Sequence, residues 1–466
     1  MFATSLLVLH LVFSGLVVTL PVFRSIARRG RIPLVSLLGM AFPAGMLVNM
    51  VLVLLLQSLA LSFAVGMLID LAGVALLFLW RDAFDGGFAP PSSGAGWSDL
   101  KISRKTAIFL ICAVAATLLV YHALLLPIDA WDARSVWFFG AKKIYYAGGL
   151  FADIGRDSLF EHADYPKLIP VMAAQIAQIA GYWNEYLPLT VVAILLCAEF
   201  VLLAALFDSI VALLLFFVLL VVVVGISPYL TNGYADMHLA ILAMLSCGFF
   251  VKGAMRRNQV DVAFGVLALG LAAGIKNEGL VLALIIGVVA AIVLIALARR
   301  SAGSWKAAAA RVLQQNRALA FALIVAALPA LLWKFRLWQW AITNDLTAAT
   351  GWGARFMDRL NFTDIGAILR AIHAAPLLLL TLLTWVVLTR IKGRRQIAYF
   401  LPLGCSALYL VVLLLVYMTT PSDLAWHLGT SAERVAFPIK LMLIYGVALY
   451  LSVILKHLAL RWRARK

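Results

Sequence analysis

The sequence predicts an all-α polytopic membrane protein with about 13 transmembrane helices plus outer-face interfacial helices. Three observations lead there. Of its 466 residues, 64% are hydrophobic and only 13% are charged, with mean hydropathy +1.02; a soluble chain carries roughly a quarter charged residues. Apolar runs of about 20 residues recur along the whole chain, each long enough to cross a bilayer. Lysine and arginine gather in alternate loops between those runs, as they do where one set of loops stays in the cytoplasm.

Taken in order, apolar segments occupy 3–23, 33–56, 58–80, 106–126, 187–206, 209–226, 234–251, 260–275, 280–298, 317–338, 373–389, 397–418 and 436–455. The first three lead the chain as a unit over 1–81. A Gly/Pro/Ser-rich stretch, DAFDGGFAPPSSGAGWSDL, then forms a cytoplasmic linker over 82–105. The segments of 106–300 make a core whose first outer loop, 127–167, is acidic. Residues 301–466 hold the remaining spans, with outer loops at 339–372 and 419–435. One further run, Leu168 to Ile179, is too short to span. If it crossed alone, every later basic loop would move outside, so parity makes it an interfacial or re-entrant helix on the outer side. The first span has no basic leader and no small-residue cleavage site, which argues against a removable signal peptide.

Of the 38 cations, 25 lie in one set of alternate loops, from Arg24–Arg31 to Lys456–Lys466. The N-terminus is then outside and the C-terminus inside. The net charge of +17 is mostly this topology signal and excludes nucleic acid as a partner. Cys112, Cys197, Cys247 and Cys405 all fall in apolar runs, which suits small core residues and not a disulfide or zinc framework.

The carboxylates are distributed the other way. Fourteen of the 21 acids lie on the outer side, and only Asp70 and Glu199 sit well inside a span. Asp153, Asp157, Asp345 and Asp358 read as solvating charge. Four motifs ask for more. In DAWDAR with the following KK, Asp129 and Asp132 stand beside Arg134, Lys142 and Lys143; cations can hold a phosphate while a carboxylate takes a proton, or the loop is simply anchored by aromatics and ion pairs. In EHADYPKLIP, a Tyr-Pro pair opens the short helix, with His162, Asp164 and Tyr165 at its start, where a structural histidine competes with a functional one. In NGYADMH, Tyr234, Asp236 and His238 stand where the chain re-enters lipid; Asp-x-His can share a proton or a metal, and Asp236 can equally cap the helix. In GIKNEGL, Lys276 and Glu278 lie so close to hydrocarbon that they must pair or face a wet cavity. The last outer loop adds His427 and Arg434, the latter placed to meet a phosphate at headgroup depth.

With these residues in hand, the chain resembles the integral-membrane glycosyltransferases of the GT-C superfamily, a bacterial branch of which uses polyprenyl-phosphate-linked sugars. The likeness rests on IDAWDAR with W-x-x-x-A-K at Trp137–Lys142, Tyr-Pro-x-Leu at Tyr165–Leu168, N-G-Y-A-D-M at Asn232–Met237, Lys-x-Glu-Gly at Lys276–Gly279, and T-P-x-D-L-x-W-H-L-x-T-S-x-x-R from Thr420 to Arg434. It runs from about residue 106 to 435.

The resemblance implies a multi-pass protein of the bacterial cytoplasmic (inner) membrane, with its site on the periplasmic face. A sugar would move from a polyprenyl-phosphate donor of the undecaprenyl type to a lipid or glycan acceptor of the cell envelope. It implies Asp132 as general base, with Asp129 as the second choice. Donor phosphate contacts fall on Lys276 and Arg434, supported by Arg134, Lys142 and Lys143. Substrate contacts fall on His162, Tyr165, Tyr234, Asp236, His238, Glu278 and His427. The resemblance leaves the cofactor open: some relatives need a divalent metal and others do not, and Asp129, Asp132, Asp236 and His238 offer ligands for one. The three leading helices are extra to the usual core, and a large soluble C-terminal domain such as oligosaccharyltransferases carry has no counterpart here. The 339–372 loop, with Gly351, Gly353, Arg355 and Arg359, is a candidate lid. The alternative is a secondary transporter or lipid flippase, which would place its ionisable residues near the bilayer midplane.

Overall fold

The computed structural model describes residues 2–26, 34–80, 103–125, 127–151, 162–225, 227–314, 317–344 and 350–463. The linker 82–100 lies outside them, as do Asp153, Asp157, Glu161 and Asp345. The described residues are all-helical, without strands. The helices are α1 Phe2–Ile26, α2 Leu34–Leu56, α3 Leu59–Leu79, α4 Arg104–Leu125, α5 Phe138–Ala147, α6 Leu168–Ala180, α7 Thr190–Leu206, α8 Ile210–Val223, α9 Asp236–Arg256 and α10 Gln259–Ile275. They continue as α11 Asn277–Ala302, α12 Trp305–Gln314, α13 Arg317–Gln339, α14 Trp352–Asp358, α15 Phe362–Ala371, α16 Ala374–Arg390, α17 Arg394–Thr419, α18 Leu424–Val435 and α19 Phe437–Arg463.

Every apolar segment of the sequence is helical, but not every helix is long enough to cross a membrane. Ten are, by length and composition, or up to eleven if α15 and α16, which meet at 75°, count as one broken span. At 14 and 17 residues, α8 and α10 fall short. By length about ten helices qualify where the apolar runs suggest about 13, and the difference is one of helix length: hydropathy measures composition, while caps and breaks set length. Ser209 caps α8 by accepting from Ala212 N, and Lys276 stops α10 in extended backbone.

Short helix α6 does not lie on a lipid surface with one face exposed. Its first ten residues, Leu168–Ala177, are all buried, enclosed by α1, α5 and α7. Within that packing Gln175 exchanges two hydrogen bonds with Asn49 of α2, at 2.7 and 2.9 Å; two amides satisfy each other where water is excluded. Amphipathic α15 and α18 fit an interface better: Phe362 is 99% exposed and Trp426 62%.

The leading helices pack into the rest of the bundle. Gly15 and Gly45 let α1 and α2 cross in backbone contact, since a Cβ on Gly45 would stand 1.6 Å from Leu11 O; small residues at such crossings are how membrane helices approach closely. Thr4 bonds Thr190, and Arg336 of α13 donates to Leu54 O at the end of α2.

The loops gather at two ends. At one, Lys105, Lys252 and Arg256 surround Asp208 at 2.7, 3.5 and 2.6 Å. Burial pushes the Asp208 carboxyl up, but Lys252, Lys105 and Arg256 together outweigh it and hold it below the usual carboxylate range. The opposite end carries the four acidic motifs.

Candidate functional site

The site assembles from local turns. After α4 the chain re-forms helix at Trp131, and residues Ala133–Trp137 make a π-helical turn that follows directly on Asp132. Such turns are frequent at functional sites. Gly233, in the NGYAD turn, has φ +87°, a conformation glycine adopts without penalty. A Cβ there would meet Phe138 at 2.8 Å and Ala133 at 3.0 Å. This contact presses the NGYAD turn onto the π turn and brings the first and third motifs together. Gly233→Val is expected to cost about 1–3 kcal/mol, read as a lower thermal midpoint of the purified protein; an unchanged midpoint would show that the turn is not held this way.

The fourth motif breaks two helices. Lys276 sits between α10 and α11 in extended backbone, φ −149° and ψ 158°. Gly279 then folds α11 back so closely that a Cβ would stand 1.9 Å from Ala272 O. The break turns the Lys276 side chain into the bundle at 6% exposure.

Four segments then meet. Lys276 Nζ lies 2.9 Å from Asp236 Oδ1 and 3.2 Å from Glu278 Oε1. Arg434 Nη1 lies 3.3 Å from Asp236 Oδ2 and also bonds Asp132 Oδ2. Asp236, 3% exposed, therefore joins the two cations through its two oxygens. Arg434 joins two carboxylates, while its Nε and Nη2 donate to Thr430 O at 3.1 and 2.6 Å. The formal charge of Asp132, Asp236, Glu278, Lys276 and Arg434 is one negative.

Aromatic rings wall the cluster. The Arg434 guanidinium lies 4.6 Å from the Tyr234 ring, and Lys276 Nζ lies 5.6 Å from that of Tyr165, both within cation–π range. Tyr165 stacks between Trp137 and His162, at 5.8 and 4.5 Å. Burial first, then the Asp132 charge, raises the Tyr234 phenol above its usual range; burial and the Glu278 charge do the same for Tyr165. Both stay protonated and can donate. Two buried polar atoms, Glu278 Oε2 and the Tyr409 hydroxyl, have no hydrogen-bond partner among the described residues. They line a small cleft with Asp236 and Arg434.

Asp132, Tyr165, Tyr234, Asp236, Lys276, Glu278 and Arg434 thus come together, with exposed His162 at the edge. Other candidates do not join them. Asp129 is exposed and has no ion pair among the described residues. Lys142 pairs with Glu185 at 2.8 Å on an exposed surface, Arg134 is exposed and acts on the same Glu185, and Lys143 lies 5.5 Å from the Phe139 ring. His427 bonds Thr420 Oγ1 at 2.9 Å and packs on Tyr417.

The Asp-x-His reading of Asp236 and His238 is corrected: a helix turns their side chains to different neighbours. Asp236 takes the two cations, whereas His238 Nδ1 pairs with Glu199 at 2.9 Å, both fully buried. The proposed metal ligands therefore do not converge, and no three His, Cys, Asp or Glu among the described residues are placed to hold an ion. One signal pointed to the Glu199 pair, since a carboxylate deep in a span must find a partner. Nothing pointed to Tyr409, and Asp164, which stood out in the second motif without a role, is buried and accepts from Asn277 and, at 2.6 Å, from Asn344.

The candidate lid is tied down. Arg355 donates to Thr419 O, and Arg359 to Tyr417 O, Thr420 O and Ser422 O, all at 2.9–3.1 Å. Arginines satisfying the last carbonyls of α17 fix 351–372 against the turn that leads to α18.

Fold and site together define a class: a multi-pass helical membrane protein with a charge-coupled polar centre at one end of its bundle. Comparison with protein-family models, with curated proteins and with solved structures finds no match for this chain.

Proposed function

We propose that this protein is a membrane glycosyltransferase of GT-C type, moving a sugar from a polyprenyl-phosphate donor to a lipid or glycan acceptor at the outer face of a bacterial cytoplasmic membrane. The observation that carries this reading is Arg434 bridging Asp132 and Asp236, with Lys276 on the far oxygen of Asp236. One partly exposed carboxylate and two buried cations then occupy the end of the bundle where a lipid phosphate and a hydrophilic acceptor can meet.

The chemistry is a direct displacement. Asp132 Oδ2 is taken by Arg434, which leaves Oδ1 for the acceptor hydroxyl. The hydroxyl oxygen bonds to the anomeric carbon and its proton passes to Asp132. The bond from that carbon to the phosphate oxygen breaks, and the electron pair leaves on the lipid phosphate. Arg434 and Lys276 neutralise the departing charge, a preorganised term that counts most where water is excluded. Since both cations are already paired, the donor phosphate competes with Asp132 for Arg434. Its arrival loosens Asp132 from the guanidinium.

The test is binding of undecaprenyl phosphate to the purified protein by native mass spectrometry. Charge-assisted hydrogen bonds contribute about 1.5–3 kcal/mol, so Lys276→Ala and Arg434→Ala are each expected to weaken binding about ten- to hundredfold. Binding no tighter than that of bulk phospholipid would sink the polyprenyl reading.

A second reading, transport, is favoured by one observation. Both deep acids are paired with histidine inside the bundle, Asp70 with His10 at 2.8 Å and Glu199 with His238 at 2.9 Å; intramembrane ionisable pairs serve as proton relays in transporters. Uptake into proteoliposomes that survives Asp132→Asn and is lost in Glu199→Gln would select it.

A further inference from the structure

At the end of the bundle opposite the site, α11 and α16 both pack on α17. Between them they leave a groove of about 490 Å³, walled by Ile292 and Ala296 of α11, Trp385 and Leu388 of α16, and Ile397 and Phe400 of α17. Ile292, Trp385 and Phe400 are half exposed along it, at 58, 56 and 48%. An apolar flank is ordinary for a membrane protein. A concave one that ends in unpaired charge is not.

The charge comes from three arginines. Arg300 follows Ala296 by four residues on α11, one turn on along the same face. Arg394 opens α17 just ahead of Ile397. Arg257, which ends α9, and Arg300 both lie within electrostatic reach of Arg394. Among the described residues none of the three forms an ion pair, and Arg394 makes one hydrogen bond, from Nε to Ala254 O at 2.6 Å. Their neighbours at the same end behave differently: Lys105, Lys252 and Arg256 share Asp208, and Lys252 also reaches Asp261 at 3.7 Å. Like charges grouped without an anion repel. Guanidinium forks match the oxygens of a phosphate, and anionic headgroups attract cations at a membrane surface.

We propose that α11, α16 and α17 form a binding site for an anionic phospholipid, with an acyl chain in the groove and the headgroup phosphodiester on Arg300, Arg394 and Arg257. Neither half accounts for the other. Cations that serve only to orient the chain need no groove, and a groove that takes any lipid needs no arginines. The site is independent of the function proposed for the opposite end.

The test uses the full-length protein, purified in detergent with equal amounts of phosphatidylglycerol and phosphatidylcholine and examined by native mass spectrometry. Wild type is expected to retain phosphatidylglycerol over phosphatidylcholine by about tenfold. The double variant Arg300→Gln/Arg394→Gln is expected to bring that ratio to about one. Ala296→Trp, which fills the groove and keeps every charge, is expected to lower retention of phosphatidylglycerol as well, and it tests the site by itself if the arginine variant does not fold. A wild-type ratio near one would overturn the proposal. So would arginine loss without effect, which leaves the cations as topology signals, or Ala296→Trp without effect, which leaves a surface charge patch with no groove.

Discussion

Asp132→Asn is expected to lower sugar transfer by about 10²- to 10⁴-fold, the range for loss of a general base, with donor binding retained, since the phosphate no longer competes with a charged carboxylate for Arg434. The amide cannot take the acceptor's proton, but it retains an oxygen for Arg434, and Arg434 keeps Asp236 at 3.3 Å. The fold therefore has no reason to fail. Asp129, exposed and without an ion pair among the described residues, supplies the control: Asp129→Asn is expected to transfer sugar at nearly the wild-type rate. Single-turnover transfer from a polyprenyl-phosphate sugar, measured beside donor binding, separates the two effects. Full turnover in Asp132→Asn would remove it as the base, and loss confined to Asp129→Asn would move the role there.

Asp236→Ala is expected to be the most destabilising single change at the site, lowering stability by about 3 kcal/mol. Breaking a buried pair by removing one partner costs about 3–5 kcal/mol, because the other charge is left uncompensated. Here Lys276 retains Glu278 at 3.2 Å and Arg434 retains Asp132, which puts the loss at the low end of that range. Asp236→Asn, of the same shape, is expected to lose less. The measurement is the thermal midpoint in detergent, with Asp129→Asn as reference. If Asp236→Ala unfolds with the reference, the two cations do not depend on the carboxylate between them.

Much of the fold was legible because its cause is local. A run such as Val211–Val223 must be helical in lipid, where every backbone group needs an internal partner. The charges of the loops then set their alternation. The lengths of the helices were less legible: a serine cap and a single extended lysine shorten α8 and α10, and neither changes the hydropathy of the run. At the site, Lys276, Asp236 and Arg434 stood out because ionised groups beside hydrocarbon need an explanation. Which partners they choose did not, since that depends on helix rotation. One position on from Met237 turns His238 away from Asp236 toward Glu199. Arg134, Lys142 and Lys143 shared a motif with Asp132, yet an exposed carboxylate, Glu185, draws Lys142 elsewhere.

The bond from Arg434 to Asp132 closes a span of 302 residues. A ribosome adding about 5–20 residues per second needs roughly 15–60 s to make that stretch. Asp132 waits through that whole interval, and Asp236 through its last 198 residues, before the arginine that holds them is synthesised. The polar centre thus closes only once α18 has been made, and a chain that stops short of α18 carries two acids at a membrane boundary without their shared cation.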